Sequence, residues 1–186
     1  MQRFDQTSAV CRMFIYKEGV LSYLAHDLRI SVTSFIIEID GTDHFIDARF
    51  DARSLRVDCV IENNRERPDL LSPRDRDEID NIIIRDVLHP DRYPEIVLLS
   101  SSFSEVDGNY LVNGPLSLHG RTREISFVVR KGDNRLYVAD IRLRLADFGI
   151  TPFSAFLGAI RIKPDVLVHV EIPIDSVDGP KVEKRR

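Results

Sequence analysis

The sequence predicts a mainly β chain: an antiparallel sheet of about eight strands, closed into a barrel or folded as a sandwich, with one main helix. Three observations support this. Apolar residues recur at every second position through most of the chain. Short turn signals (KEG, DGTD, VDGN, HGR, KGDN) separate those runs. One stretch alone, LSPRDRDEIDNIIIRDVLHP, changes to helical spacing.

In chain order, Cys11, Met13 and Ile15 alternate with Arg12, Phe14 and Tyr16. Phe35, Ile37 and Ile39 alternate with Ile36 and Glu38, and Ile46, Ala48 and Phe50 with Asp47 and Arg49. Leu55, Val57, Cys59 and Ile61 form the next stripe, against Arg56, Asp58 and Glu62. The helix is expected over about residues 73–88. Ser72 is a natural N-cap, Pro73 suits the first helical position, and Asp75 completes an acidic capping box. Ile79, Ile82, Ile83 and Val87 share one helical face, and Pro90 is the expected stop. Strand patterns resume in PEIVLLSSSF, YLVNGPLSL, EISFVVR, LYVADIRLRLADF and VLVHVEIPI. Ile141, Leu143 and Leu145 are expected to face in, Arg142 and Arg144 to face water. No linker or repeat divides the chain, so residues 1–186 read as one domain whose last stretch, 175–186, is a solvated tail.

The composition, 43% hydrophobic and 30% charged with a formal charge of −4, suits an ordinary globular protein and argues against electrostatic nucleic-acid binding. No apolar run approaches the ~18 residues of a membrane helix, and the N-terminus has no secretory pattern, so a cytoplasmic location is expected. Cys11 and Cys59 read as two buried strand thiols. The histidines at 26, 44, 89, 119 and 169 have no partner at metal-ligand spacing, and no metal or cofactor is expected. His44 and His169 read as exposed, and His89 as the end of the helix. His26 and His119 stand at turns beside apolar strands, where a hydrogen-bonded structural role competes with a functional one. The His26–Asp27 pair lacks the upstream histidine and helical scaffold of metal-dependent phosphohydrolases. Nucleophile-elbow, phosphate-loop and dinucleotide motifs are absent.

Four stretches together resemble the YceI-like family of lipocalin-like polyisoprenoid-binding proteins: LAHDLRI (24–30), RDVLHPDRYPEIVLLSS (85–101), VNGPLSLHGRTREISFVV (112–129) and ADFGITPFSAFLGAIRIKPDVLVHV (146–170). Their order covers residues 10–174, with Ser117 where the family has threonine. The resemblance implies an antiparallel eight-stranded lipocalin-like barrel. It also implies non-enzymatic binding of an amphiphilic lipid, such as a polyisoprenoid, isoprenoid quinone or fatty-acid derivative. Many relatives carry a secretory signal, a departure that leaves a periplasmic role without support.

Alternation alone cannot separate an open barrel interior from a filled one; the resemblance favours an open one. The expected lining is Ile96, Leu98, Phe127, Val129, Ile141, Leu143, Val168 and Val170, with Phe148, Phe153 and Phe156 nearer an end. His119 is expected as a polar anchor near His26 or Asp27, at one end, where it could meet a head group. Two other readings stay open: a barrel enzyme using His26, Asp27 and His119, and a filled-core domain that binds a protein partner. The sequence does not separate a monomer from a homodimer.

Overall fold

The computed structural model describes residues 1–18, 26–151, 154–155 and 160–173. The first half of the chain forms β1 (Gln2–Asp5), β2 (Val10–Ile15), β3 (Lys17–Glu18), β4 (Asp27–Val32), β5 (Phe35–Asp40), β6 (Phe45–Asp51), β7 (Leu55–Glu62) and β8 (Arg65–Arg67). Helix α1 (Pro73–Ile82) follows. The second half forms β9 (Glu95–Leu99), β10 (Ser102–Val106), β11 (Asn109–Leu118), β12 (Arg121–Gly132), β13 (Leu136–Arg144), β14 (Ser154–Ala155), β15 (Ile160–Ile162) and β16 (Asp165–Pro173).

One antiparallel sheet holds 13 of these strands, in the order β1-β5-β6-β9-β11-β12-β13-β16-β2-β4-β7-β8, with β10 paired to β11. Strands β14, β15 and β3 make a small second sheet. The main sheet curls because its far ends are the same two stretches of chain. Strand β4 runs into β5 across residues 33–34, and β6 into β7 across 52–54. Thr33 N donates to Ser54 O (3.0 Å) and Asp51 N to Ser34 O (3.0 Å), so one bent hairpin belongs to both ends of the sheet. This barrel-like curl exceeds the expected count of eight strands. The bends divide two long stretches into four strands, and the short strands β1, β8 and β10 flank the rest.

Helix α1 begins as its sequence indicates. Ser72 caps the Asp75 N–H, and the Asp75 carboxylate accepts from the Ser72 N–H. Past Ile82 the chain continues as a π-helical segment, Ile83–Leu88. It ends at His89, one residue before the expected Pro90 stop, because His89 takes a left-handed conformation (φ 47°) and donates to Ile84 O. Among the described residues no helix is long and apolar enough to cross a membrane.

Strand β7 departs from its expected stripe. Cys59 pairs with Arg29 but Val57 with Ile30, so Asp58 is an extra residue in a bulge. Its carboxylate accepts from Arg29 Nε (3.0 Å) and Ser31 Oγ (2.6 Å). In the same strand Val60, 1% exposed, takes the core position expected for Ile61.

Candidate functional site

Pairing register places like with like across the curled sheet. Ile141 stands beside Val168, which stands beside Met13. Leu116 stands beside Leu98, which stands beside Ala48. Since side chains alternate faces, each match carries one apolar stripe onto the next strand's stripe. The inward stripes do not meet at the centre; they surround a cavity of about 1260 Å³. Ile79, Ile82, Ile83 and Val87 add the apolar face of the helix to its wall. Helix α1 is pinned there by Asp80, whose carboxylate accepts from Val57 N (2.8 Å) and lies 3.8 Å from Arg56 Nε.

A void of this size is not a packing defect. It is partly open to solvent and far larger than the gaps left by side-chain packing in a core, which seldom exceed a water molecule. The chamber therefore has the character of a site built to be occupied. It exceeds the roughly 300–1,000 Å³ common for small-molecule pockets, which suits a long ligand.

Polar groups are few on this wall. Asp40, Thr42 and His44 of the β5–β6 turn reach it, with Gln2, Glu105, Tyr110 and Tyr137. His44 Nδ1 donates to Phe103 O (3.2 Å), which ties that turn to β10. Rings continue inward from there: Phe103 meets Tyr110 edge-on (6.0 Å), and Tyr110 meets Tyr137 (5.7 Å). The backbone N–H groups of Asp43 and Thr42 hold the Asp40 carboxyl below its ordinary range. The exposed His26 also contributes to the wall.

Ile96, Leu98, Phe127, Val129, Ile141, Leu143, Val168 and Val170 all lie on the cavity wall. Phe148 does not. Strand β13 ends at Arg144 and the chain enters a 3-10 turn (Leu145–Phe148), so the alternation stops and Phe148 is packed in the core, 2% exposed. Phe153 and Phe156 lie outside the described residues.

His119 is also off the wall, and the expected pairing with His26 or Asp27 is corrected. The residue sits left-handed (φ 51°) in the β11–β12 turn. Its ring packs against Tyr93 (4.4 Å between centroids) and His89 (5.7 Å). Burial pushes its pKa down, opposed by a hydrogen bond to the Phe148 carbonyl and reinforced by His89, Arg121 and Arg92. Asp27 instead accepts from the Lys17 N–H (2.8 Å). His26, Asp27 and His119 thus do not converge on the chamber.

His169, expected to be exposed, is half-buried between Asp140 (2.7 Å) and Glu171 (3.0 Å). Burial alone would lower its pKa, but those two carboxylates raise it overall. Cys11 is buried on the wall, and burial pushes its thiol up to about 12, so it serves as a small apolar side chain. Sequence reasoning missed Tyr110 and Tyr137 as wall residues, although both begin alternating strands.

A model of the YceI-like domain family matches residues 19–176. Among solved structures, the fold is similar to BcnA of Burkholderia cenocepacia, with a TM-score of 0.61 at 12% identity, covering 90% of this chain and 97% of that one. It is also similar to the YCEI protein of Campylobacter jejuni, with a TM-score of 0.47 at 15% identity, covering 75% and 78%. No curated protein matches the chain.

Proposed function

The chain belongs to the YceI-like family, and from that premise we propose that it is a non-enzymatic binder or carrier of an amphiphilic lipid. The hydrocarbon tail occupies the barrel interior, and the ligand class is a polyisoprenoid, an isoprenoid quinone or a fatty-acid derivative. The observation that carries this reading is the 1260 Å³ chamber with its predominantly apolar wall.

Burying hydrocarbon is worth about 0.8 kcal/mol per methylene-sized group, so one five-carbon isoprene unit yields on the order of 3–4 kcal/mol. Three units exceed the ~8 kcal/mol of micromolar affinity and leave a margin for lost chain entropy. No catalytic group is required. The enzyme reading needs acid, base or ligand groups converging on the chamber, and of its three residues only His26 reaches the wall.

Native mass spectrometry of freshly purified protein tests the reading. The expected spectrum contains a species heavier than the bare chain, whose extra mass is released on denaturation as an apolar compound. Protein that carries no lipid, and takes none up from geranylgeraniol after delipidation, would overturn it.

A further inference from the structure

The charge on the chamber wall specifies the head group further. The chain has 26 lysines and arginines, yet among the described residues none reaches the wall. Of the polar side chains that do, Gln2, Thr42, Tyr110 and Tyr137 are neutral, and Asp40 and Glu105 are carboxylates. Asp40 is held ionised by the N–H groups of Asp43 and Thr42. The Met1 amine lies 3.6 Å from Asp40, which leaves Glu105 as the uncompensated charge. These groups gather where the β5–β6 turn meets β10, beside the rings of His44, Phe103 and Tyr110.

A phosphate or carboxylate drawn to that rim would lose water, find no lysine or arginine among the described residues of the wall and the Met1 amine already paired with Asp40, and meet the Glu105 carboxylate of its own sign. An alcohol, ester or quinone would lose little and could exchange hydrogen bonds with Thr42 or Tyr110 while its apolar part packs on the rings. Building on the lipid-binding reading, we infer that the chamber selects uncharged head groups, an isoprenoid alcohol or quinone in preference to the phosphate or carboxylate of the same chain length.

The test is displacement of the neutral fluorophore N-phenyl-1-naphthylamine by geranylgeraniol and by geranylgeranyl phosphate, at pH 8 where free imidazoles are neutral. The alcohol is expected to bind at least about tenfold more tightly than the phosphate. That ratio should shrink as salt rises from about 0.05 to 0.5 M, because screening weakens the repulsion. It should shrink further in Glu105→Lys, with Glu105→Gln intermediate; Glu105 is exposed, so both variants are expected to fold. Equal or tighter binding of the phosphate by the unaltered protein, or a ratio indifferent to both salt and Glu105→Lys, would overturn the inference while leaving lipid binding intact. Failure of both ligands to displace the fluorophore would instead sink the lipid-binding reading, and this inference with it.

Discussion

His119 and His169 carry opposite pH signatures because one ring is buried beside cations and the other between carboxylates. The pKa of His169 is raised, so its contribution to stability is fully present below the ordinary value of about 6.5 and is lost as pH rises through the folded-state value. His119 is depressed, so its contribution is present above about 6.5 and is lost as pH falls toward its lower folded-state value. Urea denaturation from pH 5 to 8 separates the two. His169→Asn should cost most at pH 5 and progressively less at higher pH. His119→Asn, which tolerates the left-handed turn, should cost most at pH 8. Both profiles flat with pH would contradict these assignments. Gly114 shows a steric constraint that no local pattern announces. A Cβ there would lie 2.3 Å from Leu99 O and 2.7 Å from Ser100 Cα, where the chain leaving β9 crosses β11. Gly114→Ala should therefore cost about 1–3 kcal/mol in urea denaturation, since the obstruction is backbone that cannot rotate away.

At the scale of elements, the alternation of β13 separates the chamber from water. Leu143 lies on the wall and Arg144 is exposed on the opposite face. Leu143→Arg should abolish lipid retention, read as loss of the heavier species by native mass spectrometry, whereas Arg144→Leu should retain it. Equal effects would mean that the strand face does not control the chamber. Helix α1 offers a separate measurement. It depends on the Ser72 cap and on the Asp80 anchor to Val57 N. Ser72→Ala should cost about 1 kcal/mol. Asp80→Ala should raise hydrogen exchange at the Val57 amide and along the helix, because a buried N–H loses its acceptor. Unchanged exchange would show that apolar contacts alone hold the helix over the chamber. The helix start was legible because cap, proline and capping box are local chemistry. The bulge at Asp58 was not, since an extra residue in one strand shows only against its partner.

At the scale of the whole molecule, the chamber exists because the sheet curls without its side chains filling the centre. A ligand that binds only the folded state stabilises it by mass action, by about 2.7 kcal/mol at a hundredfold excess over its dissociation constant. Delipidated protein should show a rising unfolding temperature with added geranylgeraniol, and Leu143→Arg should show none. A rise of equal size in both proteins would place the stabilising site outside the chamber.

By itself the sequence determined the class of the long elements, the main strands and the helix start, and most of the side chains that share a face along them. Periods of 2 and 3.6 are properties of the backbone, and they are written directly into the order of apolar and polar residues. The quoted segments likewise carried the family resemblance along most of the chain. What only the tertiary structure decided was how those faces meet. The bends at 33–34 and 52–54 make two strands serve both ends of the sheet, and with the short strands β1, β8 and β10 the local count of eight becomes a curled sheet of 13. The neighbours of His119 were decided there too, because the helix end at His89 and the turn at Tyr93 are distant in sequence and fold against the β11–β12 turn. Whether the apolar stripes touch or enclose space depends on the curvature of the sheet and the seating of α1. Both are sums over long-range contacts, and no window of sequence contains them.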